Sequence, residues 1–142
     1  MREEKVPESR LSYLISVIVN SCALYVIQNV PEWNIVFITG QYGQVQHVLA
    51  TAVIVQIAGG VILIVLRTKV MHYLLHVVFN FVSIYAVYRM ITIFPFDFAV
   101  IGIPVLETVL KILLIISLAA AFIGLVGTMF KLKVVLRESR RR

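Results

Sequence analysis

The chain has 142 residues, of which 61% are hydrophobic and only 14% charged, and its mean hydropathy is +0.97. A soluble domain carries about 25% charged residues, so this composition excludes an ordinary water-covered globule, makes the bilayer the natural solvent, and at this length allows one domain. Thirteen Lys and Arg against seven Asp and Glu leave a charge of +6, but eleven of those cations fall in three short hydrophilic pieces, which is a topology signal before it is a partner signal.

The first ten residues mix Arg2, Glu3, Glu4, Lys5, Glu8 and Arg10. They lack a basic n-region and a small-residue cleavage site, so the first span is expected to be retained rather than removed as a signal peptide. Four unbroken apolar runs follow, at about residues 11–30, 46–66, 70–93 and 104–130, ahead of a basic tail over 131–142. Each approaches the roughly 20 residues a helix needs to cross a hydrocarbon core. A membrane barrel would show shorter, alternating segments. The predicted fold is all-α, an integral membrane four-helix antiparallel bundle.

Cations set its orientation. Arg2, Lys5 and Arg10 precede the first span, Arg67 and Lys69 separate the second from the third, and Lys131, Lys133, Arg137, Arg140, Arg141 and Arg142 follow the fourth. The first long connection, 31–45, has no Lys or Arg, and the other has only Asp97 near its centre. Basic and cation-free pieces alternate, which predicts both termini in the cytoplasm of a cell-membrane protein. The short second connection makes spans two and three antiparallel neighbours. The aromatic residues of the two long loops (Trp33, Phe37 and Tyr42; Phe94, Phe96 and Phe98) suit the outer interface.

Polar side chains inside the spans are the candidate functional residues. On the third span His72, His76 and Asn80 recur at i+4 and Ser83 follows at i+3, one face of a helix. Intramembrane ionisable residues are functional candidates, and this stripe predicts a proton or ligand track from the cytoplasmic side. The plainer reading, and the preferred one, is interhelical hydrogen bonding. Asn20, Gln56 and Asn80 fall near mid-depth and predict an amide cluster, with Ser16 on the face of Asn20. Near the outer end Arg89, Asp97, Glu107 and Lys111 predict a charge network between the third and fourth helices. Ser117, Ala120, Ala121, Gly124 and Gly127 form a small-residue stripe on the fourth, suited to close helix approach within the chain or with a second copy.

Several chemistries are disfavoured. Cys22 is the one cysteine, so an intramolecular disulfide, a thiol pair and a four-cysteine zinc site are excluded. His47 and His76 differ in depth by about 15–20 Å at 1.5 Å per residue, too far to share a haem. No catalytic constellation, cofactor or metal site is expected. Thr39-Gly40-Gln41-Tyr42-Gly43 has the composition of a potassium filter, but its order is wrong and no pore helix precedes it. The basic tail follows a membrane span directly, so anionic inner-leaflet lipid is its expected partner rather than nucleic acid, at about 1 kcal/mol per basic residue near the surface.

Pro31-Glu32-Trp33 with Phe37-Ile38-Thr39, and Arg89 with Phe94-Pro95-Phe96-Asp97-Phe98, resemble the first outer loop and the third-helix exit of a small prokaryotic family of four-span integral membrane proteins. The resemblance implies a fold and no chemistry. Better-known four-span families fit less well. Small multidrug transporters carry a Glu in the first helix, where this chain has Asn20. Quinone-reducing thiol enzymes need Cys-x-x-Cys. Glutathione-using membrane enzymes carry a Glu-Arg pair on a second helix that is uncharged here. The expected function is therefore a non-enzymatic accessory or structural membrane component, with a homo-oligomer or a membrane protein as partner. An oligomeric small-solute, ion or proton transporter using the third-helix stripe is the alternative, and a membrane-embedded enzyme comes third.

Overall fold

The computed structural model describes residues 9–141. Arg2, Lys5 and Arg142, counted above among the topology cations, lie outside the described residues. The chain is all-helical, with four helices long and apolar enough to cross a membrane: α1 Arg10–Asn29, α2 Tyr42–Val65, α3 Lys69–Ile93 and α4 Val105–Arg141.

The helix boundaries have local causes. The Ser9 hydroxyl accepts from the Ser12 amide and starts α1; the Thr68 hydroxyl accepts from the Met71 amide and starts α3. At the far end of α1, Pro31 enters a single 3-10 turn, and Asn34 in the left-handed region (φ 47°) ends it. Phe94 (φ 41°) turns the chain out of α3 immediately ahead of Pro95. Asp97 then caps a second 3-10 turn, Phe98–Ile101, which Gly102 closes at φ 76°.

Two boundaries differ from the sequence reading. α2 begins at Tyr42, a turn before the apolar run at Gln46, because Gly43 and Gln44 sit in the first turn, where helical amides need no intrahelical partner. α4 does not stop at Phe130. No Gly or Pro interrupts residues 131–141, so the helix continues for 37 residues, about 55 Å.

α1 packs on α2, α2 on α3 and α3 on α4, while α1 and α4 form no extensive contact. Adjacent glycines let α2 serve two neighbours. A Cβ at Gly59 would strike the Phe79 ring on α3, and one at Gly60 would lie 2.7 Å from Val17 Cγ2 on α1. Where lipid tails are as apolar as the side chains, such close approach is what favours helix association. Leu63, Val45, Ala52, Ala86 and Leu125 are buried, whereas Leu14, Ile18, Ile54, Phe81, Ile116 and Phe122 point outward.

The two long loops meet each other. The Thr39 amide donates to the Pro95 carbonyl (3.0 Å) and the Asp97 amide to the Phe37 carbonyl (2.8 Å), an isolated bridge between Ile38 and Phe96. Phe37 stacks on Phe98 with centroids 5.2 Å apart, and Phe98 on Phe96 at 5.9 Å. The Tyr42 hydroxyl donates to the Ile27 carbonyl, and the Gln46 amide to the carbonyls of Ile27 and Gln28, fastening the start of α2 to the end of α1. This is the loop end of the molecule. At the opposite, turn end, Leu66–Thr68 links α2 to α3, and a bond between Tyr13 and His72 brings the starts of α1 and α3 together.

Candidate polar groove between the first three helices

A half-open groove of about 290 Å³ lies among α1, α2 and α3. From α1 come Ser12, Tyr13, Ser16 and Asn20; at 1.5 Å per residue they cover about 12 Å of depth from the turn end. From α2 come Gln56, Gly60 and Leu63, and from α3 His76, Phe79, Asn80 and Ser83. The groove has polar walls at these depths because polar residues recur at three- and four-residue steps on both α1 and α3.

Five of the six residues marked as an intramembrane stripe or amide cluster line this one space: Asn20, Gln56, His76, Asn80 and Ser83. Gln56 Nε2 donates to Ser83 Oγ (3.2 Å) and ties α2 to α3. Among the described residues Asn20 Nδ2 donates within its own helix, to Ser16 Oγ at 3.4 Å. The Asn80 amide has no hydrogen-bond partner among the described residues; its Oδ1 lies 3.8 Å from where a Cβ on Gly124 would be. The three amides thus share one groove without bonding to one another.

His72 lies beside the groove rather than in its lining. It is buried, at 8% exposure; its Nδ1 is 2.8 Å from the Tyr13 hydroxyl, a bond whose direction follows the imidazole tautomer. Its ring centroid is 4.3 Å from that of His76, which in turn meets the Phe79 edge at 5.6 Å. Ser12 and Tyr13 did not stand out in the sequence. Their spacing held the signal: Ser12, Ser16 and Asn20 recur at i+4, and Tyr13 is i−3 from Ser16.

The four charges toward the loop end do different things. Lys111 Nζ pairs with Glu107 at 2.6 Å on α4 and lies 4.6 Å over the Phe94 ring. The Asp97 carboxylate accepts from the Ala99 amide as a cap. Arg89 makes no ion pair among the described residues, and its Nε is buried without a hydrogen-bond partner, as is the Thr39 hydroxyl. Of the small residues on α4, Ala121 is half-buried and Gly124 approaches Asn80, while Ser117 and Gly127 are exposed. Cys22 is exposed, and no group of three metal-ligating side chains occurs among the described residues.

A groove walled by hydroxyls, amides and one imidazole can hydrogen-bond a ligand and hold it in place. It holds no carboxylate, ammonium, guanidinium or thiol with which to do acid–base or nucleophilic work beyond that of His76 and Tyr13. The architecture is that of a multi-pass helical protein with a polar groove. No family model, curated protein or solved structure matches the chain.

Proposed function

We propose that the protein is a small-solute carrier or permeation module of the cell membrane, and that the groove among α1, α2 and α3 is its solute path. The observation that supports this over a purely structural role is the unspent hydrogen-bonding capacity of Asn80 and of the Asn20 carbonyl oxygen. Polar residues serving only as interhelical glue would bond across helices, as Gln56 does with Ser83. Here most of the polar lining faces the groove. The helices form an antiparallel bundle with both termini in the cytoplasm. Support comes from the Tyr42–Ile27 and Tyr13–His72 bonds at opposite ends, and from Arg10, Arg67 and Lys69 at the turn end. The groove then opens toward the cytoplasm and ends near mid-depth at the Gln56–Ser83 bond, which makes that bond the barrier to be crossed.

The accessory reading draws on a different observation. α1 and α4 do not close on each other, so a helix from a partner protein or a second copy has a seam to enter. Lys131, Lys133, Arg137, Arg140 and Arg141 at the end of α4 remain the proposed contact with anionic lipid. The first of them are best placed, since α4 outlasts a span of about 30 Å and carries the later ones away from the surface.

The test uses a Cys22→Ser background carrying Ser16→Cys or, as the outward-facing control, Ile15→Cys. A membrane-impermeant thiol reagent applied from the cytoplasmic side is expected to label Ser16→Cys and block proteoliposome flux of a panel of neutral, anionic and cationic solutes. The control is expected to do neither. Labelling of both positions alike, or flux indifferent to the label at Ser16→Cys, would sink the solute path and leave the accessory reading.

A further inference from the structure

We infer that the groove selects an uncharged group bearing several hydroxyls or amides, either a free polyol- or urea-like solute or the uncharged polar head of a lipid. This names the ligand class and rests on the groove being a binding path.

Ser12, Ser16, Asn20, Gln56, Asn80 and Ser83 are uncharged, and no Asp, Glu, Lys or Arg is among the lining residues. An ion moved from water to this depth would lose its hydration and meet no permanent opposite charge; the one lining side chain that could pair with it is the His76 imidazole, and then only with an anion and only when protonated. An uncharged polar group loses less and recovers it, because hydroxyls and carboxamides each both donate and accept. Ordered polar sites for a charged ligand use Arg, Lys or a carboxylate; the Glu107–Lys111 pair is on α4 and outside the groove.

Size narrows the class. About 290 Å³ is room for roughly ten waters at about 30 Å³ each, so the part of a ligand held inside the groove has a few to about ten heavy atoms. Spacing narrows it further. Ser12, Ser16 and Asn20 climb one wall in steps of about 6 Å, with His76 and Asn80 on the facing helix. A ladder of groups that each both donate and accept suits a molecule whose own hydroxyls or amides repeat along its length. The groove is also half-open, with Ser12 and Ser16 of its wall exposed, so a lipid with an uncharged head could enter it while keeping its chains outside. Both sources present the same chemistry to the same side chains.

The experiment measures stopped-flow re-swelling of proteoliposomes in glycerol, erythritol and urea, with choline chloride and sodium acetate as charged probes. Native mass spectrometry is run in parallel on protein offered a monoglycosyl diacylglycerol or phosphatidylglycerol. Asn80→Leu, which keeps the side-chain size and removes the amide, is compared with wild type. Asn80→Asp, which keeps the shape and adds a charge, guards against simple misfolding. Re-swelling with the neutral solutes that falls about tenfold in Asn80→Leu, the worth of one ordinary hydrogen bond to a ligand, supports the free-solute source. No re-swelling, but one glycolipid retained by wild type and lost in Asn80→Leu, supports the headgroup source. In either case Asn80→Asp is expected to lose the neutral preference while remaining monodisperse. Asn80-dependent passage or retention of the charged probes instead would overturn the neutral class and leave the groove as the path. Indifference of every probe to both substitutions would overturn the class and the path together.

Discussion

Tyr13 and His72 show how much one pair of side chains can decide. Their bond is buried and joins helices that are not neighbours in sequence, so it fixes how the starts of α1 and α3 meet at the foot of the groove. Tyr13→Phe removes the hydroxyl and leaves the ring, and is expected to lower stability by about 1 kcal/mol, the usual net value of such a bond. Reversible unfolding in mixed micelles measures it; a loss within error would mean that His72 finds an equal partner. The contrasting case is Glu107–Lys111, a close pair whose side chains are 36% and 45% exposed. An i,i+4 pair so open to its surroundings contributes only a few tenths of a kcal/mol. Glu107→Gln should leave the unfolding midpoint within error, and a large drop would show that the pair is shielded or that Glu107 holds something else. Tyr13 and Ser12 could be found by extending the i+4 ladder down α1, whereas the spacing from Arg89 to Asp97 gave no warning that each would serve a separate role. Sequence distance places charges at one end of a bundle; side-chain direction and the turn at Phe94–Pro95 decide which of them touch.

At the scale of the element, α2 is the shared wall. Gly59 faces Phe79 and Gly60 faces Val17, so two consecutive residues set the spacing of two helix pairs. Gly59→Val is expected to cost about 1–3 kcal/mol by overpacking, and Phe79→Ala in the same chain should return part of it by making room. If the double variant is no better than the single one, the contact is not the cause. α4 makes a separate prediction. Because its helix runs through residues 131–141, Val135→Pro should abolish helix over about seven residues, from the proline to the end, in circular dichroism, with the unfolding midpoint of the bundle unchanged. An unchanged spectrum would mean that this stretch is not helical in solution. The apolar run at 104–130 was legible because hydropathy is local; the helix beyond it was not, because a basic composition says where a chain sits and does not say whether its backbone stays hydrogen-bonded.

The whole molecule is held by α1 packing on α2, α2 on α3 and α3 on α4, and by the contact between its two long loops. Phe98, buried at the bridge and stacked on Phe37 and Phe96, is the most buried of the three rings at that junction. Phe98→Ala is expected to cost about 3 kcal/mol and to increase hydrogen exchange at the Thr39 and Asp97 amides, which donate across the two loops. Exchange that stays slow there would show the bridge to be independent of the aromatic stack. The four membrane-length helices were legible from the chain alone, since the hydrophobic length of a segment and the residues that start and stop a helix lie within that segment. The stripe on α3 and the amides Asn20 and Gln56 could be marked as one-sided for the same reason. Which helix each face meets, that the loops bridge, that α1 and α4 do not pack together, and that the amides line a shared groove instead of bonding to one another were decided only in three dimensions. Those outcomes depend on where two glycines allow close approach and on which side chains lie at equal depth, and both are relations between segments that no single segment carries.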